Sequence, residues 1–587
     1  MLKLFKFLKP YWWQVLILVL FTAAQVWTTL RLPALMANII NDGIVPGDTD
    51  YIWQTGLKMM GLAAISAVAS LVSSYFSARI GTSYARDIRN AIFTKIINLN
   101  VLDIRDFSTA SLLTRTTNDV NQVQMTTIMI LSMMLRSPLF CIISIIMAIQ
   151  TAPDMSWIIV VGAVAILGSV ILIMSLVIPK FKIFQNFVDR ITLLTRENLT
   201  GLRVIRAFNN EELEKKKFEK ANDALTKLLI YIDRILELQN PLINIIFNGT
   251  TLLCSWIGIS LLTKDFAYLG NMTAFAQYVT HVMMSFLMMS ILFVSLPRAN
   301  VSAGRINAVL AKKSKIIFPS KTNGVPTKIP SVEFKNVSFS YPGASEKVLD
   351  DISFTARAGE TTAFIGSTGS GKSTLINLVP RFYETTDGDI LVNGVSIKDY
   401  AKTDLISRIG FVPQRGMLFA GTVESNIKFG APNASDLQMH KAAEIAQAKN
   451  FIEKLPDKYK SHIAQGGTNV SGGQKQRLSI ARAICKNPEI YIFDDSFSAL
   501  DMKTDKKLRE ALKPVTSNAV VLTVAQRVSS IKDAEQIVVL NNGKIVGKGK
   551  HLELLCKCQV YQEIVKSQLS DSEYDLELKL ARKVVHA

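Results

Sequence analysis

Residues 361–374 read TTAFIGSTGSGKST, and residues 489–501 read EIYIFDDSFSALD. In the first stretch Gly366 and Gly371 bracket four residues, and Lys372 and Ser373 follow directly. A strand that runs into such a glycine-rich turn presents successive backbone N–H groups, and that arrangement wraps phosphate. Gly366, Ser367, Thr368, Gly369, Ser370 and Gly371 supply the wrap. Lys372 brings positive charge to it, and Ser373, followed by Thr374, offers a hydroxyl to Mg²⁺. The second stretch is an apolar run that ends on two adjacent acids, Asp494 and Asp495. A third, NVSGGQKQRLSIARAI, places a Ser-Gly-Gly turn at the start of a helix.

These residues need a scaffold, and the 587-residue chain divides into two halves of different character. It is 49% hydrophobic yet carries a formal net charge of +19, so where the cations sit decides their meaning. About 20 apolar residues cross a bilayer. Six stretches qualify, at about 11–30, 59–78, 125–150, 155–179, 238–263 and 266–297, with Arg136 interrupting the third. Short links at 42–50 and 150–156 hold Asp42, Asp48, Asp50 and Asp154 without Lys or Arg, while the long links 79–124 and 180–237 are rich in both. The cations place the long links and both termini inside, against minor exceptions at Arg31, Lys58 and Lys264. The long links are polar and nearly free of Pro and Gly, which predicts helices continuing well beyond the membrane. Arg136 and His281 are ionisable groups at membrane depth, and with Met284 and Met288 of HVMMSFLMMS they are candidates for a substrate path.

Residues 1–310 therefore form an all-α transmembrane domain with long cytoplasmic extensions, and 311–331 a basic, Pro- and Gly-broken linker. Residues 332–568 show the pattern of a soluble α/β phosphate-loop domain, with Asn-Gly hairpin signals at 393–394 and 542–543. Residues 569–587 are a charged tail. The five cysteines, Cys141, Cys254, Cys485, Cys556 and Cys558, have neither disulfide nor zinc spacing and are expected reduced. No signal peptide is expected at the N-terminus.

In this order and spacing the motifs resemble the ATP-binding cassette (ABC) transporter superfamily, in particular exporter half-transporters in which six spans are fused to one nucleotide-binding domain. The resemblance covers nearly the whole chain. It implies ATP and Mg²⁺ as ligands, with Tyr341 stacking on adenine and Gln414 sensing the metal. It makes Asp494 the metal-binding carboxylate, Ser471-Gly472-Gly473-Gln474 the signature turn and Ser498-Ala499-Leu500-Asp501 the D-loop. Cassettes of this kind pair head to tail, each ATP lying between one phosphate loop and the other's signature. The chain is thus expected to dimerise. Short coupling helices are expected near 103–114 and 207–212, and alternating access as the mechanism.

Three positions depart from the family; one, Gln465, stands where exporters often carry Glu and reads as tuning, and the other two touch the catalytic set. Asp495 stands where the family places a glutamate base, and Gln526 where it places a switch histidine. Losing a methylene withdraws the carboxylate by about 1.5 Å, and a ~1 Å misplacement can cost on the order of 10²-fold in rate. Glutamine donates a hydrogen bond but does not become a cation. The catalytic set of the chain's own site, Asp495, Gln526 and Gln414, is therefore expected to be weak, while its signature is intact. This resembles the degenerate-site subunit of heterodimeric bacterial multidrug exporters, which implies a partner half-transporter with intact Glu and His, a plasma-membrane location and a small amphipathic substrate. A dedicated lipid, peptide or haem exporter, or an ATP-responsive membrane regulator, shares the same sequence pattern. Six spans exclude a soluble DNA-associated ATPase, so no nucleic-acid partner is expected.

Overall fold

The computed structural model describes residues 1–262 and 268–585. The end of the fifth expected span, the start of the sixth and Lys264 lie outside them. Two compact units emerge: residues 1–98 with 107–312, and residues 99–106 with 313–587.

The first unit is helical. Five stretches among the described residues are long and apolar enough to cross a membrane: Leu2–Ile44, Thr49–Asn98, Thr109–Thr151, Pro153–Thr200 and Glu211–Ile259. The sixth expected span falls on the helix Tyr268–Ala311. The helices outrun a bilayer because their polar ends keep helical propensity: Thr49–Asn98 holds 50 residues and Trp157–Thr200 holds 44. At ~1.5 Å per residue, either is about twice the length a bilayer core needs. Because lipid is as apolar as a leucine face, packing between such helices draws on hydroxyl pairs. Thr22 meets Ser73 at 2.8 Å, Thr29 meets Ser66 at 2.8 Å, and Tyr278 donates to Leu30 O at 3.1 Å.

The second unit carries the α/β pattern. A six-stranded sheet has the order Lys544–Gly549, Gln536–Asn541, Thr361–Gly366, Val520–Val524, Ile490–Asp494, Ile409–Val412. Its first strand is antiparallel and the rest are parallel. IYIFD and VVLTV are buried at every position, as strands covered on both faces must be. A four-stranded antiparallel sheet packs against it through Phe334, Phe354, Phe364, Ile390 and Leu522. Both Asn-Gly pairs make the turns the sequence predicts, with φ of 51° and 78° at Asn393-Gly394 and 45° and 77° at Asn542-Gly543. Residues 312–330 contain neither helix nor strand. The tail forms the helix Asp571–Val585, whose Ala581 is fully buried, and Glu577 meets His551 at 3.0 Å.

A short helix, Val101–Arg105, belongs to the second unit although it interrupts the first in sequence. Leu102, like Phe318, packs on the cassette core. The buried Asp103 accepts from Ser314 Oγ at 3.1 Å and Lys315 N at 3.2 Å, and Asn100 donates to Ser314 Oγ at 2.6 Å. In the other expected coupling segment the helix lies slightly earlier, at Leu202–Ala207. Residues 208–210 are the turn after it, because Asn209 takes a left-handed φ of 53° that ends the helix. Replacing Asp103 with Ala removes two hydrogen bonds to a charged group. Amide exchange of residues 101–105 should then accelerate about tenfold, with nucleotide binding unchanged, as hydrogen-exchange mass spectrometry would show.

Candidate functional site

Parallel strands direct all their C-terminal ends to one edge of a sheet, where ligands of α/β proteins collect. Here five adjacent strands do so, and four of them lead into candidate site residues. Register pairs Val524 with both Phe364 and Asp494, and Phe493 with Val412. The loop after Gly366, Gln526, Asp495 and Gln414 thus meet, although they are scattered along the chain.

The phosphate-loop candidates form a turn between Thr361–Gly366 and the helix Lys372–Leu378. Gly369 and Gly371 adopt φ of 85° and 95°, a region that penalises any Cβ. At Gly371 such an atom would also lie 2.7 Å from Leu349. Lys372 Nζ bridges the loop, donating to Gly366 O at 2.9 Å and Ser367 O at 2.7 Å. Burial pushes its pKa down, opposed by the charges of Asp495 and Asp494, so a phosphate entering the loop meets a cation already partly desolvated. Tyr341, expected at the base, contacts Thr374 through its hydroxyl at 3.0 Å and stands edge-on to Tyr383 at 5.4 Å.

Ser373 Oγ donates to Asp494 Oδ1 at 2.8 Å. Burial raises the pKa of Asp494, and the Ser373 hydroxyl pulls it back. This hydroxyl–carboxylate pair fits Mg²⁺, which takes one or two protein oxygens and completes its shell with phosphate and water. Among the described residues no cluster of three His, Cys, Asp or Glu forms a cage of its own.

Asp495 is buried with φ of 46°. Its N–H donates to Val524 O at 3.1 Å, and its own carbonyl accepts from Ser498 Oγ at 2.8 Å. Its Oδ2 accepts from Gln526 Nε2 at 2.8 Å and Gln414 Nε2 at 3.3 Å. Burial raises its pKa, countered first by the Gln414 hydrogen bond.

Ser471–Gln474 sit apart in a helical lobe built around Leu478, Phe493 and Leu508. Ser471 caps the 15-residue helix Gly472–Lys486: Gln474 N donates to its hydroxyl at 3.3 Å, and Ser471 N donates to Gln474 Oε1 at 2.9 Å. Ser471 and Gly472 are exposed. Among the described residues no hydrogen bond joins this turn to residues 366–374. The D-loop follows Asp495, with Asp501 capping the helix Met502–Thr516 through Thr504 N at 2.9 Å.

Sequence reasoning missed Gln476 and Ser496. The buried Gln476 donates to Pro413 O at 3.0 Å and accepts from Gly416 N at 2.8 Å, tying the capped helix to the segment around Gln414. Ser496 donates to Val412 O at 3.0 Å, fixing the turn after the two acids. A polar residue on the inward face of SGGQKQRLSIA was the available signal for Gln476.

Comparison with known proteins bears on family and fold. The family model for the ABC transporter transmembrane region matches residues 15–286, and that for the ABC transporter itself matches residues 349–498. An uncharacterized ABC transporter ATP-binding protein of Mycobacterium tuberculosis is 37% identical, covering 96% of this chain and 97% of its own. An ATP-dependent lipid A-core flippase of Desulfotalea psychrophila is 32% identical over 81% of this chain and 83% of its own. A bacterial Atm1-family ABC exporter with ATP bound shares the fold, with a TM-score of 0.80 at 22% identity, covering 96% of this chain and 99% of that one.

Replacing Lys372 with Ala leaves the loop carbonyls of Gly366 and Ser367 without their donor and removes the cation. Affinity for a fluorescent ATP analogue should fall at least tenfold, about 1.4 kcal/mol, in a chain that remains folded by circular dichroism.

Proposed function

This chain belongs to the ABC transporter family, and from that premise we propose that it is one half of an ATP-driven exporter of amphipathic or apolar compounds. In this reading its own site holds ATP and cleaves it slowly. One observation supports this above all: Asp495 Oδ2 accepts from both Gln526 and Gln414. A general base must turn a lone pair toward water and take its proton. Oδ2 already accepts two amide hydrogen bonds, which leaves only Oδ1 to turn toward water, and neither amide accepts a proton near neutrality. The shortened side chain adds its loss of reach.

The remaining residues keep their binding roles. Residues 366–374 and Lys372 hold the phosphates, and Tyr341 stacks on the base. Ser373, Asp494 and Gln414 would hold Mg²⁺, which when bound would neutralise phosphate charge. Ser471–Gln474 present a capped helix N-terminus, a fitting surface for the phosphate of an ATP held by a second cassette. That second cassette would supply the Glu and His that this one lacks, making a heterodimer with one hydrolytic and one retaining site. The distribution of Lys and Arg puts the cassette on the cytoplasmic side of a cell membrane. A dedicated lipid exporter is the second reading, favoured by the flippase relative.

Reconstituted alone, the chain should bind the ATP analogue and hydrolyse ATP near background. Combining Asp495→Glu with Gln526→His should raise turnover by about 10²-fold, measured as phosphate release. Fast hydrolysis by the unaltered chain, not increased by the pair of substitutions, would overturn the retaining-site assignment. Once a partner is identified, Asp495→Asn in the assembled pair should cost less than twofold in turnover.

A further inference from the structure

Within the six apolar stretches two side chains are cationic or able to become so, Arg136 and His281, and none is a carboxylate. The structure gathers both on one ring. The Arg136 guanidinium lies 5.3 Å from the centroid of Phe140, and His281 stacks on Phe140 at 5.5 Å with an interplanar angle of 28°. Phe140 is buried, while Arg136 is exposed. Among the described residues no carboxylate pairs with Arg136.

Two further observations mark the place. The helix Arg136–Thr151 is preceded by a π-helical turn, Ile130–Met134, one of three in this unit with Ile39–Ile44 and Arg115–Asp119 among the described residues; such turns are frequent at functional positions. On the facing helix, Gln277, His281, Met284 and Met288 recur at spacings of three and four, so they share one face. Met284 is 53% and Met288 37% exposed, whereas the neighbouring Met283 is buried at 4%.

An uncompensated guanidinium at membrane depth is costly, and such groups face a bundle interior or a water-filled path. Stacking on Phe140 holds its plane but leaves the N–H edges of the fork free. Those edges match an anionic oxygen group bidentately. The methionine stripe beside it suits a flexible alkyl chain. We propose that Arg136, Phe140 and His281 form the headgroup end of the substrate site, and that the substrate is an amphiphile with an acidic headgroup lying along Met284 and Met288. The assignment rests on the transport reading above and narrows its substrate class. A cationic amphiphile would meet like charge here, and a neutral one would leave the guanidinium unpaired.

The test uses the full chain in phosphatidylcholine nanodiscs and compares saturable binding of dodecyl phosphate, dodecyltrimethylammonium, a neutral dodecyl glycoside and inorganic phosphate. Dodecyl phosphate should bind at least tenfold more tightly than the other three. Arg136→Ala and Arg136→Gln should abolish that preference, Arg136→Lys should keep part of it, and all three should still bind the ATP analogue. Equal binding of the amphiphiles, no binding of any, or an unchanged preference in both neutral variants would overturn the proposal. Inorganic phosphate binding as tightly as dodecyl phosphate would overturn the role of the methionine stripe. ATP-driven transport of a cationic or neutral amphiphile by an assembled pair would sink this assignment while leaving the exporter reading standing.

Discussion

The cassette depends on one constraint of sheet architecture: parallel strands cannot be joined by tight turns, so each returns through a crossover and all finish on the same edge. Residues from four separate stretches meet there because Val524 sits in register with Asp494 and Phe364, and Val412 with Phe493. Apolar burial holds that register, since IYIFD and VVLTV are enclosed throughout. The polar site is therefore anchored by residues that do no chemistry. Slipping one strand by one residue would put its side chains on the wrong face, separating Asp494 from Ser373 or Asp495 from Gln526.

That edge brings one lysine, two carboxylates and two carboxamides close together, and their mutual hydrogen bonds set what each can do. Asp494 keeps a hydroxyl partner that a metal ion can share. Asp495 is drawn instead into a cluster with two amides. The first arrangement exchanges one oxygen ligand set for another at small cost. The second fixes a carboxylate in place by amide donors that do not ionise near neutrality. Adjacent acids of identical chemistry thus acquire different capacities from their neighbours alone.

Much of this was legible in the chain. The glycine spacing before Lys372, the apolar runs ending in Asp494 and Val524, and both Asn-Gly turns are local signals, and local geometry honours them. The helical extensions were legible because polar residues of good helical propensity continue the apolar stretches without Pro or Gly. Other features are tertiary and leave no local trace. Val101–Arg105 joins the second unit because Asp103 finds Ser314 and Lys315 across a large gap in sequence. Gln476 matters because its helix packs beside Pro413 and Gly416. The tail's charge was legible, but its anchoring through Glu577 and His551 depends on a partner in another element.

A site that keeps its nucleotide has a thermodynamic role even without turnover. A ligand that binds one state of a protein and not another stabilises that state by RT ln(1 + [L]/Kd), about 2.7 kcal/mol when the ligand stands at a hundred times its dissociation constant. Under the proposed pairing, ATP held between residues 366–374 of this chain and a partner's signature would contribute that bias to the closed cassettes through every cycle. Hydrolysis at the second site would then need to remove only its own share for the pair to loosen, and the membrane helices would move between states separated by a smaller gap. The cost falls on rate at one site and the gain on association of the two chains. Under that proposal a shortened acid bound by amides suits the division, because it would weaken the chemistry while leaving residues 366–374, the Ser373–Asp494 pair and the helix capped by Ser471 in place.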